Sequence, residues 1–79
     1  MEPYQQRVVE EKAALDEKLN KLAKFVINGG DAFKMLFIAE QVRLNKQMVV
    51  MEIYSEILRD RIAAFDTALP LPEETKSNL

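Results

Sequence analysis

Residues Val42 to Phe65 read VRLNKQMVVMEIYSEILRDRIAAF, with no Gly and no Pro. Leu44, Met48, Met51, Ser55, Leu58, Ile62 and Phe65 recur at steps of four and three. That pattern is the seam of a helix packed lengthwise on another helix. A second row runs through Val50, Tyr54 and Ile57 and ends at Arg61, and a third carries Val42, Val49 and Ile53. The middle of the helix is therefore apolar nearly all round. In a small chain that calls for more than one partner surface. The seam predicts an intramolecular hairpin, and the surplus rows predict neighbouring chains.

The other half of the hairpin lies upstream. Pro3 suits the first turn of a helix, where its missing N–H costs nothing. Glu2 before it complements the positive end of the helix dipole. From there to about Ile27 the chain reads as helix. Val8, Leu15 and Leu22 are spaced by seven, and Lys12, Leu19 and Val26 form the interleaved row. Lys12 is the one polar member of this seam and is expected to lie along it on its stem and reach solvent. Glu11, Asp16 and Glu17 against Lys18, Lys21 and Lys24 read as a solvated, mixed-charge exterior. Lysines crowd the last turns, where the dipole favours them.

Asn28-Gly29-Gly30-Asp31 stops this helix, because Gly and Asn tolerate the left-handed conformation of a C-cap. Asp31 is a candidate N-cap for a second helical segment. Ala32 to Ile38 reads as a short helical turn folded across the open end of the hairpin, or as the first turns of the long helix, which runs to about Phe65 or Thr67. Two long helices joined by a short connection must run antiparallel. The expected fold is all-α: an antiparallel two-helix hairpin with a short helical turn in the link, assembling as a homo-oligomeric helical bundle. The hairpin domain is expected over residues 1–67. Residues 68–79, with two prolines and little to bury, read as an extended or disordered tail.

Composition narrows the function. A chain of 79 residues is one small domain at most, and below roughly 70–80 residues a core alone is marginal. With no Cys and no His, disulfides and thiolate metal sites are out, and so are the commonest metal ligand and general base. Oligomerisation is the supplement left. No nucleophile–base pair of familiar type can be built. Ser55 sits in the seam, while Thr67, Thr75 and Ser77 lie at or beyond the helix end. Gly29-Gly30 lacks the Lys-Ser/Thr and the preceding strand of a phosphate loop. No catalytic residue, metal site or cofactor is expected. The net charge of −2, from 11 basic and 13 acidic side chains, argues against polymeric nucleic acid as a partner. A small anion remains open, since it needs only a few placed cations. No apolar run approaches the roughly 20 residues that span a bilayer, so no membrane partner is expected. Met1 to Tyr4 lacks the pattern of a signal peptide, and a cytoplasmic protein is the default expectation.

One flank of the first helix stands out. Tyr4, Glu11, Lys18 and Phe25 share a stripe beside the seam, with Arg7 one turn on from Tyr4. An aromatic ring with nearby cations suits a nucleotide, the ring stacking on a base and the cation meeting a phosphate. The same stripe also reads as two packing rings and a surface charge. Tyr4 and Lys18 are roughly 21 Å apart on a straight helix at about 1.5 Å per residue. Either the helix breaks near its start, or a site takes Tyr4 from one subunit and Lys18 from another. Arg61, on an otherwise apolar row, needs an anionic partner. That partner is either an acid such as Asp60 or Glu56 of a neighbour, or an anionic ligand on which symmetry-related copies converge. Met48-Val49-Val50-Met51 reads as core or subunit interface.

The run Pro3-Tyr4-Gln5-Gln6-Arg7-Val8-Val9-x-Glu11-x-x-x-Leu15-Asp16-x-Lys18-Leu19-x-Lys21-Leu22-x-x-Phe25 resembles the N-terminal helix of the phage anti-CBASS type 2 sponge proteins. Phe33-x-x-Leu36 and Leu44-x-x-Gln47-x-x-x-Met51-x-x-Tyr54-x-x-Ile57-Leu58-x-x-Arg61-Ile62 fit the second half, so the resemblance spans roughly residues 3 to 65. It implies a helical hairpin that assembles into a compact homohexamer in the cytoplasm of an infected bacterium. It implies binding of cyclic dinucleotides between subunits and, in some members, of cyclic trinucleotides at separate pockets. The ligand is held without turnover, and the defence effector is starved of signal. By resemblance, Tyr4 matches the aromatic that stacks on a base, Lys18 the lysine that meets the cyclic dinucleotide, and Arg61 the arginine of the trinucleotide pocket. Arg7 is added on its position beside Tyr4. In the link, Asn28-Gly29-Gly30-Asp31 and the apolar Met35-Leu36-Phe37-Ile38 depart from the family pattern. The alternative from a different class is a structural or regulatory hairpin that binds a partner protein through its apolar faces.

Overall fold

A computed structural model describes residues 1–65 of the chain. The end of the long helix beyond Phe65 and the expected tail at 68–79 lie outside the described residues. Three helices succeed one another: α1 (Pro3–Asn28), α2 (Gly30–Lys34) and α3 (Ile38–Ala64). Among the described residues there is no strand. The long helices α1 and α3 pack on each other antiparallel. Tyr4 meets Phe65 at one end, Lys12 meets Ser55 in the middle, and the link closes the other end.

Helix α1 begins as the sequence predicts. Pro3 occupies its first turn after Glu2 as N-cap. Gln5 Oε1 accepts the Glu2 N–H at 2.8 Å, which satisfies one of the amides a helix start leaves open. The helix runs to Asn28 without a break, a residue further than the periodicity indicates. Its last turn consequently holds no lysine; Lys21 and Lys24 sit earlier and contribute less to the C-terminal dipole than the sequence suggests.

The seam falls where the periodicity places it. Val8 and Leu58 are buried, and Leu58 is fully so at 0% exposed. Leu15, Leu19, Leu22 and Val26 of α1 and Leu44, Met48, Met51, Ser55 and Ile62 of α3 are half-buried around them. The outer rows of α3 lie open: Val42, Val49, Val50, Ile53, Tyr54 and Ile57 are all exposed. The body measures 51 × 23 × 16 Å, with a radius of gyration of 16.8 Å. A compact domain of this length would give about 12 Å. A rod this thin has little interior, which is why Val8 and Leu58 alone are buried among the described residues.

The link differs from its sequence reading. The short helix is α2, Gly30–Lys34, displaced from the expected 32–38. Asp31 does not cap it. The N-cap is Gly29, and Asp31 lies in the first turn. The chain turns at Gly30, whose φ of +56° is left-handed and costs a residue without a Cβ little. Phe33 then folds back edge-on to Phe25, with ring centroids 5.6 Å apart. Gln41, from the first turns of α3, donates its side-chain amide to Lys34 O at 3.1 Å and Leu36 O at 2.9 Å. These carbonyls at the end of α2 gain their partner from α3, so α2 is tied to both long helices. Met35 (85% exposed), Phe37 (86% exposed) and Ile38 face outward at this end and do not cover the hairpin.

Candidate functional site

The free end of the hairpin brings together the start of α1 and the end of α3. Tyr4 and Phe65 meet with ring centroids 5.8 Å apart and planes at 82°, the edge-to-face geometry that aromatic quadrupoles favour. Tyr4 remains 47% exposed. Arg7 lies one turn along α1 from Tyr4, and the antiparallel pairing puts it at the level of Arg61, one turn before Phe65. Both arginines are exposed. Neither makes an ion pair or hydrogen bond with another described residue. Asp60, one of the acids named for Arg61, lies 3.3 Å from Arg59 of its own chain. Among the described residues, then, an aromatic ring and two cations without an ion partner lie at one end of the hairpin; groups of these kinds can stack on a base and meet a phosphate.

Lys18 is not part of that cluster. Helix α1 is continuous from Pro3 to Asn28, so no break folds Tyr4 back toward Lys18. The two stay roughly 21 Å apart along the axis, at about 1.5 Å per residue. Lys18 is exposed and has no ion partner among the described residues. Phe25, on the same stripe, is a packing ring against Phe33. The stripe therefore divides by place: Phe25 packs on α2 and Tyr4 on Phe65 at its two ends, while Glu11 and Lys18 between them are exposed.

Polar residues inside the seam differ from the sequence reading. Lys12 does not extend into solvent. Its side chain is 24% exposed, and Nζ lies 2.6 Å from Asp16 Oδ2 and 3.0 Å from Ser55 Oγ. Ser55 in turn donates to Asp16 Oδ1 at 2.5 Å. Asp16, assigned by sequence to the solvated exterior, is half-buried at the helix contact. The hydrogen bond from Lys12 holds its carboxyl below the usual aspartate value, the Ser55 hydroxyl adds to this, and partial burial opposes it. A signal for this was present: Lys12 and Asp16 stand at i and i+4, and Ser55 is the polar position of the opposite seam. The three groups satisfy one another and the Ser55 hydroxyl is committed to Asp16, so the triad reads as structural.

The outer face of α3 forms a shallow apolar depression lined by Asn45, Lys46, Val49 and Val50. No group of acids among the described residues could hold a metal ion. No described helix is long and apolar enough to cross a membrane.

The family model described as Sequestin matches residues 2–64, a span that takes in all three helices and the Glu2 cap. Comparison with curated proteins and with solved structures gave no match.

Proposed function

The chain belongs to the Sequestin family, the anti-CBASS cyclic-oligonucleotide sponges, and from that premise we propose that it binds cyclic dinucleotide second messengers and holds them unaltered. In this reading a phage makes the protein in the cytoplasm of its bacterial host, and the bound signal no longer reaches the antiphage effector. No bond in the ligand is broken. The observation that carries the reading is the family match over residues 2–64, which takes in every described helix.

Each candidate residue has a role in this reading. Tyr4 stacks on a base, Arg7 and Lys18 meet phosphate, and Arg61 serves a separate cyclic trinucleotide pocket. The unbroken α1 supports a site shared between chains, because one chain does not bring Tyr4 and Lys18 together. The protein is a homo-oligomer, and the family points to a hexamer. Two observations support assembly: the thin rod has few buried residues, and α3 exposes Val42, Val49, Val50, Ile53, Tyr54 and Ile57. That surface also favours a second reading, a hairpin that binds a partner protein through its apolar faces. A cyclic dinucleotide carries few charges, so a chain of net charge −2 can bind it with local cations.

Calorimetric titration with a panel of cyclic di- and trinucleotides at micromolar protein separates the two readings. The sponge reading expects saturable heat with at least one cyclic dinucleotide. Absence of heat across the panel removes it and leaves the partner-protein reading.

A further inference from the structure

We propose that Phe65 is a positioning residue for the nucleotide site, holding the Tyr4 ring so that one of its faces stays open to a base. The inference rests on the reading that Tyr4 stacks on the ligand. Its own basis is the ring geometry at the free end of the hairpin.

Tyr4 sits in the first turn of α1, where it has little of its own helix to lean on. Within α1, Gln5 Nε2 lies 3.5 Å from Tyr4 Oη, at the outer limit of a hydrogen bond and too long to fix a ring. The contact that crosses to the other helix is the ring of Phe65 at 5.8 Å and 82°. A perpendicular contact covers at most one face of Tyr4, whichever ring presents its edge. The 47% exposure of Tyr4 agrees with a ring that is braced and still open.

Phe65 is well placed for this task. It is the C-cap of α3, its N–H donates to Ile62 O at 3.0 Å, and it is half-buried as the last member of the seam. Seam packing thus sets Phe65, and Phe65 sets Tyr4. Without the brace, Tyr4 keeps rotamer freedom that it must give up on binding. Such freedom weakens affinity by about three- to tenfold for one side chain.

The test compares Phe65→Leu, Phe65→Tyr and Tyr4→Ala in the full chain. Affinity is measured for the tightest cyclic dinucleotide of the calorimetric panel, and the mass of each free variant is checked by light scattering. Tyr4 ring-proton NMR shifts report orientation, with Tyr54→Phe identifying the signals of the two tyrosines. The expected result is that Phe65→Leu keeps the wild-type mass, loses about three- to tenfold in affinity and shifts the Tyr4 signals, while Phe65→Tyr restores both. Loss of binding in Tyr4→Ala with wild-type affinity in Phe65→Leu overturns the positioning role alone. Wild-type affinity in Tyr4→Ala overturns the role of Tyr4, and the role of Phe65 with it.

Discussion

Ser55 of α3 donates its hydroxyl proton to Asp16 of α1 at 2.5 Å, and Lys12 bonds to both of them. The triangle is a polar link between two helices whose other seam contacts are apolar. An apolar seam can slide by a turn and still bury hydrocarbon. A carboxylate, an ammonium and a hydroxyl that satisfy one another fit only one register.

Ser55→Ala is therefore expected to lower stability by about 1 kcal/mol, the usual net value of one hydrogen bond, since Asp16 keeps Lys12. Urea unfolding followed by circular dichroism at fixed protein concentration measures it. An unchanged midpoint would remove the triangle from the forces that hold the hairpin.

Acid should weaken the same link. The Asp16 carboxyl titrates below its ordinary value in the folded chain, chiefly through Lys12 and then Ser55. A lowered folded pKa adds stability above the unfolded value, about 3.9 for aspartate, and that stability is lost as pH falls through the folded value. The melting temperature should fall below about pH 4, and less steeply in Asp16→Asn. Parallel curves for the two proteins between neutral and acid pH would contradict this.

Lys18→Ala is expected to weaken cyclic dinucleotide binding about tenfold or more, the loss of a charge-assisted contact. Lys18 is exposed and packs against nothing in the seam, so the assembled mass should not change. Calorimetry and light scattering read the two effects separately. Wild-type affinity would exclude Lys18 from the site.

Val50→Glu should break the assembly. Val50 is 63% exposed in the single chain, so the hairpin itself tolerates the change. A carboxylate placed in an apolar contact between chains loses its hydration without gaining a partner. Light scattering should show a smaller particle with unchanged helix content. A wild type that is already monomeric would refute the assembly argument.

Much of the hairpin was legible because periodicity is local. The spacing from Leu44 to Phe65 marked the buried face of α3, and Leu58 on that face is the most buried of the described residues. Pro3 and Gly30 announced a helix start and a turn through their own backbone chemistry. The link was not legible, because distant residues hold it. Phe25 packs Phe33, and Gln41 satisfies the carbonyls of Lys34 and Leu36. Asp16 was misplaced for a similar reason. Glu17 and Lys18 beside it suggested a charged exterior, and its position depends on Ser55 across the seam as well as on Lys12 one turn before it. At the free end, the pairing of Tyr4 with Phe65 derives from antiparallel register, but its perpendicular geometry does not. The spacing of Tyr4 and Lys18 left two arrangements open, a broken helix or a site shared between chains, and α1 is continuous between them.

The central claim is that an assembly of this chain holds a cyclic dinucleotide without altering it. Native mass spectrometry of the protein mixed with a cyclic dinucleotide tests this most directly, with denaturation and recovery of the ligand afterwards. The account predicts an oligomer carrying bound ligand, and a released ligand of unchanged mass. A monomer without ligand, or a linear hydrolysed product, would contradict it.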